Sequence, residues 1–207
     1  MGDTMSREQL IEHARLFYGQ GSMVGTAGNL SARTDDGSFW ITASGRQKGQ
    51  LTPSDFLRIG MDGGVVEAVD EKNQPSAETS IHRTIYELFE DARACYHVHS
   101  VHANVVSNLT AGNQLALPPL EMIKGFGIWE QNPLVQIAIF ENHLDVPRIA
   151  REIQIRFANN PPQLAALLIR NHGVTVWGRS PEEAKVYIEL SEYIFRYMTL
   201  MKQVGLT

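Results

Sequence analysis

Tyr96-His97-Val98-His99-Ser100 sets two imidazoles two residues apart at the end of a short apolar run. Read as a strand over residues 94–99, that run alternates its side chains between two faces, so Cys95, His97 and His99 share one of them. Two imidazoles on one strand face can reach a single metal ion. Zinc takes nitrogen ligands at about 2.0–2.1 Å, and a catalytic zinc usually has three protein ligands and one open position. The third ligand has to come from elsewhere, and His172 in Asn171-His172-Gly173 is the best candidate. It follows the continuous apolar run 164–169, which reads as a buried strand, and Gly173 permits a sharp turn that aims His172 inward. A plainer description also fits: three ordinary histidines, packed in a core or solvated at strand ends. The short spacing alone does not separate the two.

Three polar loops offer groups suited to an anion. In residues 25–33, Gly25 and Gly28 lead into Asn29, Ser31 and Arg33, spaced by two as in a strand. Small residues let a ligand approach the backbone, and Asn and Ser add neutral hydrogen bonds; a glycine-rich turn entering a strand has the same composition. Residues 43–49 combine the Ser44 hydroxyl, the backbone amides around Gly45, and the cations Arg46 and Lys48. Such a loop suits phosphate, because amide nests and charged donors replace the anion's hydration. It lacks the G-x-x-x-x-G-K-[ST] pattern, so nucleotide hydrolysis is not indicated. Ser76 reads as the N-cap of a helix carrying Ile81, Ile85, Leu88 and Phe89, with its hydroxyl and the free amides behind it forming a weak anion site. Glu78, in that helix's first turn, also suits the helix dipole.

Glu121 stands between Leu120 and Met122-Ile123, in a segment too short for an amphipathic helix. Desolvation there would favour the protonated carboxyl and fit it for acid–base work; a loop carboxylate paired with Lys124 is the alternative.

The elements that must position these groups form one domain, since 207 residues bury one substantial core. A net charge of −5 argues against nucleic acid as a partner. The single cysteine, Cys95, cannot form an internal disulfide, and no apolar run reaches the roughly 18–20 residues of a membrane span; a cytoplasmic protein is expected. A capping box at Ser6 opens a first helix on which His13 faces solvent, and His82 lies off the apolar stripe of its helix, toward the surface. Ser180-Pro181-Glu182-Glu183 opens a long final helix whose aromatic and Met stripe is core or packs on a neighbouring subunit.

Five segments in order carry a resemblance: Gly25-Thr26-Ala27-Gly28-Asn29-Leu30-Ser31, Thr42-Ala43-Ser44-Gly45, Pro75-Ser76-Ala77-Glu78, His97-Val98-His99-Ser100 and Arg170-Asn171-His172-Gly173. Together they resemble the class II aldolase/adducin family from residue 25 to the end of the chain. Residues 44–48, 121–125, 172–178 and 201–206 are similar to the family's dehydratases, which eliminate water from a methylthio-substituted ketose 1-phosphate in methionine salvage. The resemblance implies a three-layer α/β/α sandwich with a central, largely antiparallel sheet, and a homotetramer with active sites near subunit boundaries. It implies one zinc ion per subunit on His97, His99 and His172, and a small sugar-phosphate substrate whose phosphate meets Asn29, Ser44, Gly45, Lys48 and Ser76. The acid–base residue of the dehydratases maps onto Glu121, whereas that of the family's sugar-phosphate aldolases maps onto Glu78. A sugar-phosphate aldolase or epimerase is therefore the neighbouring expectation. A non-catalytic adducin-like interaction module is the remote one, because such modules lose the metal histidines and this chain keeps all three.

Overall fold

The strands assemble symmetrically about the H-x-H segment. The computed structural model of the chain describes residues 2–206, with side chains from Arg7 onward. Strands β1 (Asn29–Arg33), β2 (Phe39–Thr42), β3 (Phe56–Ile59), β4 (Val65–Ala68), β5 (Ala94–Val98), β6 (Gln114–Ala116), β7 (Gln136–Phe140), β8 (Ala166–Ile169) and β9 (Gly173–Gly178) form a nine-stranded sheet in the order β4-β3-β2-β1-β5-β9-β8-β7-β6. β5 is its middle strand, and the only parallel neighbours among the described residues are β7 and β8. Helices α1 (Gly2–Gly19), α2 (Thr79–Leu88), α3 (Val101–Ser107), α4 (Val146–Asn159) and α5 (Pro181–Gln203) cover both faces.

The alternation along β5 divides the core. Tyr96 and Val98 pack with Leu10, Phe17, Val106, Ile188 and Phe195 from α1, α3 and α5. Cys95 points the other way, toward Ile81, Ile85, Ile149 and Ile153 from α2 and α4. Burial on both faces explains why the central strands read as unbroken apolar runs, and each such Leu, Ile or Phe side chain contributes about 1.5–3 kcal/mol. The architecture is the three-layer α/β/α sandwich with a largely antiparallel sheet that the family resemblance implies.

Several local expectations change. Helix α1 already includes Ser6, which is therefore not its N-cap. His13 is 1% exposed, with Nδ1 2.7 Å from the Tyr96 hydroxyl and Nε2 3.2 Å from Glu182, so it belongs to the core and not to the solvated face. Helix α2 begins at Thr79 with Glu78 as its N-cap; Ser76 sits one turn earlier, its carbonyl accepting from the Thr79 amide at 3.1 Å. The predicted start of α5 stands: Ser180 Oγ accepts from the Glu183 amide at 3.1 Å, although the Glu183 carboxylate reaches back to the Arg179 amide.

The β8–β9 turn reassigns the work expected of Gly173. The left-handed residue of the turn is Asn171, with φ 54°, and its amide donates to Ser107 Oγ. Gly173 matters for a different reason: a Cβ there would lie 2.1 Å from the Val98 carbonyl oxygen. Only a residue without a side chain lets β9 pass β5 where His97 and His172 must meet. Gly173→Ala should destabilise the fold by about 1–3 kcal/mol or more through overpacking, lowering the melting temperature by roughly 5 °C. An unchanged thermal transition would contradict this account of the close approach.

Candidate metal centre

His97 projects from the α2/α4 face of β5, opposite Asn29 on β1 and Thr175 on β9. Its Nδ1 lies 2.9 Å from Thr175 Oγ1, which fixes the ring and turns Nε2 toward the strand ends. His99 follows β5 directly, and its amide donates to the Ser22 carbonyl at 2.9 Å. The three imidazole rings that the sequence selected lie together, with centroids 4.7 Å apart for His97–His99, 4.9 Å for His97–His172 and 4.4 Å for His99–His172.

Glu78 completes the group from the N-cap of α2. Its Oε1 lies 2.8 Å from His172 Nε2, 3.3 Å from His97 Nε2 and 4.0 Å from His99 Nε2. The four ligand atoms lie within 4.8 Å of one another. Donors around a tetrahedral zinc stand about 3.4 Å apart, so modest side-chain rotation would bring these onto one ion. Two further observations fit a metal. Nε2 of His97 and of His99 are buried without a hydrogen-bond partner, which is costly for a ring nitrogen unless an ion takes its lone pair. Burial also pushes His97 well below the ordinary histidine pKa and His99 down to about 4, so both are neutral ligands at neutral pH. Burial alone would raise Glu78, but His97, His172 and His99 more than offset it and hold the carboxylate below its usual range.

The loops read as phosphate-binding converge beside this group. Asn29 Nδ2 donates to Ser76 Oγ at 3.2 Å and also to Glu78 Oε2. The Ser44 amide donates to the Gln74 carbonyl at 2.9 Å, tying the two anion-suited loops together, and Gly45 adopts φ 70° in an exposed turn. Lys48 is 1% exposed; its Nζ donates to the carbonyls of Thr26 and Arg46, each at 2.8 Å. Burial drives its pKa down to about 8 against the opposing pull of Glu78.

Glu121 is not brought to this cluster within one chain. Residues Glu121–Phe126 form a 3-10 turn that buries Ile123, while the Glu121 carboxylate is 78% exposed and pairs with Lys124 at 3.2 Å. The expected desolvation is absent here, because the apolar neighbours turn inward and leave the two charged residues outside.

Sequence reasoning missed His82, which is fully buried and not at the surface. Burial pushes its pKa down to about 4. As pH falls through about 6.5 the unfolded chain takes up a proton that the folded one refuses, so stability present above pH 6.5 is lost between there and pH 4. For this residue alone the loss is on the order of 3 kcal/mol. Urea unfolding of metal-free protein should show a midpoint that falls steadily from pH 7 to pH 4; a flat profile would contradict the neutral, buried ring.

Three histidines and a glutamate thus gather at the ends of the central strands of a nine-stranded sheet. The chain matches the Class II Aldolase and Adducin N-terminal domain over residues 8–199 and belongs to that family. Among named relatives, it is 58% identical over 198 residues to the methylthioribulose-1-phosphate dehydratase of Microcystis aeruginosa, covering 96% of this chain and 97% of the relative. It is 43% identical over 188 residues to the enzyme of that name from Geobacillus kaustophilus, covering 87% and 86% of the two chains. The L-fuculose-1-phosphate aldolase of Thermus thermophilus superposes with a TM-score of 0.75 over 96% of this chain and 94% of the other; at 24% identity this likeness speaks to fold alone.

Proposed function

We propose that this chain is a metal-dependent hydro-lyase that converts 5-methylthioribulose 1-phosphate to 2,3-diketo-5-methylthiopentyl 1-phosphate and water, in methionine salvage. The observation that carries the reading is the convergence of His97, His99 and His172 with Glu78 beside a cationic, amide-rich loop cluster, in a chain 58% identical to a dehydratase of that name.

The proposed resident ion is one zinc per subunit, held by His97, His99 and His172. Such an ion would supply Lewis acidity for the ketose carbonyl, whose oxygen gains negative charge as the neighbouring carbon loses its proton. Ser44, Gly45, Lys48 and Ser76 hold the phosphate at the other end of the substrate, with Lys48 as the positive charge and Asn29 behind them, donating to Ser76 Oγ. Glu121 removes the C3 proton and returns a proton to the departing C4 hydroxyl. The enol left behind tautomerises to the 2,3-diketone. Since Glu121 is exposed in the single chain, this role places it at the metal centre of a neighbouring copy, in keeping with the homotetramer that we propose. Glu78, already at the centre, orients the ligand set and is a second acid–base group.

Among the described residues no helix is long and apolar enough to cross a membrane. Incubation with 5-methylthioribulose 1-phosphate, against fuculose 1-phosphate and ribulose phosphate, tests the assignment. The expected product is the diketone from the methylthio sugar alone. Cleavage of fuculose 1-phosphate, with the methylthio sugar untouched, would make the chain an aldolase.

A further inference from the structure

Glu78, His82 and Tyr86 recur every four residues at the start of and along α2, and Asn29 and Ser31 are spaced by two on β1. Four residues of helix rise about 6 Å and two residues of strand about 6.7 Å, so the two sets can interdigitate. They do. His82 Nε2 meets Asn29 Oδ1, His82 Nδ1 lies 2.7 Å from Ser31 Oγ, and Ser31 Oγ lies 2.7 Å from the Tyr86 hydroxyl. His82, Ser31, Tyr86 and Asn29 are at most 3% exposed, so nothing here is shared with bulk water.

Every proton in this chain of contacts can be placed from one fact, that an ionised carboxylate only accepts. The amide nitrogen of Asn29 must therefore face Glu78 Oε2, as it does. Its Oδ1 then faces His82, which requires the hydrogen on Nε2. Nδ1 is left as an acceptor, so Ser31 donates to it and accepts from Tyr86. The single Ser31 hydrogen is thereby committed to the ring and not to the Cys95 carbonyl, 3.3 Å away. Burial keeps the ring neutral, as this pattern requires.

We propose that His82 is a positioning residue for the metal centre: acting through Asn29, it holds one oxygen of Glu78 and so aims the other at the three imidazoles. With Oε2 held by Asn29, Oε1 alone is presented to His97, His99 and His172. Without His82 the Asn29 Oδ1 is buried with no donor, so the amide shifts to find one and its hold on the carboxylate weakens. The proposal rests on the metal-centre reading of Glu78 and on no particular substrate.

Two measurements test it. In metal-free protein, the ring ¹⁵N shifts of His82 should report the Nε2–H tautomer. In competition with a chelator, His82→Leu should bind zinc about 10–100-fold more weakly than the parent, the range found when outer partners of metal ligands are removed. His82→Gln, whose amide can still donate to Asn29 Oδ1, should recover most of that loss while melting no higher than the Leu variant. An Nδ1–H tautomer, or a folded His82→Leu protein with parental zinc affinity, would overturn the proposal. Should His82→Leu fail to fold, the tautomer and the Gln variant decide. Neither readout uses the methylthio sugar, so a chain inactive on that substrate would remove the proposed function and leave this inference standing or falling by itself.

Discussion

His97→Ala should lose metal and turnover together, with activity reduced by at least about 10³-fold, because Lewis-acid stabilisation of the developing charge is worth several kcal/mol. His97 is the most constrained of the three imidazoles. It is 2% exposed, anchored on the middle strand of the sheet and held through Nδ1 by Thr175. Alanine leaves a site with two imidazoles and Glu78, and it also strands the Thr175 hydroxyl. Metal content and turnover measured on the same preparation check the outcome, with His172→Ala as a second case. Full zinc occupancy in either variant would remove that residue from the ligand set.

The second large effect is at Glu121. Glu121→Gln should slow turnover by about 10²–10⁴-fold, the usual worth of a positioned general acid–base group, while leaving zinc content unchanged. Its exposure makes the substitution safe for the fold, since the carboxylate contributes only a surface pair with Lys124. The proposed place of Glu121 at a neighbouring copy's centre can be tested by subunit mixing. Glu121→Gln and His97→Ala should each be strongly impaired alone, but mixed assemblies of the two should regain part of the activity, because some centres then combine an intact ligand set with an intact Glu121. Absence of any recovery after verified subunit mixing would return Glu121 to its own chain. Full activity of Glu121→Gln would move the acid–base role to Glu78, which already faces the three imidazoles.

The uneven legibility of this site has physical causes. His97 and His99 could be read because a strand's period of two puts them on one side whatever the tertiary context, and His172 because it ends a run that only a buried strand explains. Glu78 was half legible: its position near a helix start was plain, but not that the helix begins one residue later and turns its carboxylate into the imidazoles. Apolar periodicity sends His13 and His82 to solvent because it marks only one kind of buried face. Helix α2 also buries a polar stripe, Glu78-His82-Tyr86, against Asn29 and Ser31 of β1, and such a stripe looks like a surface until its partners are known. Glu121 failed in the opposite sense, since its apolar neighbours suggested desolvation while the 3-10 turn aims it outward. The short edge strand β6 carried too little alternation to be seen.

Stepwise return of zinc to metal-free protein, with water elimination from 5-methylthioribulose 1-phosphate followed at each addition, tests the central claim most directly. Activity should rise in proportion to bound metal and stop at one ion per chain. Full turnover before any ion is added, or an ion bound without activity appearing, would contradict a mechanism centred on His97, His99 and His172.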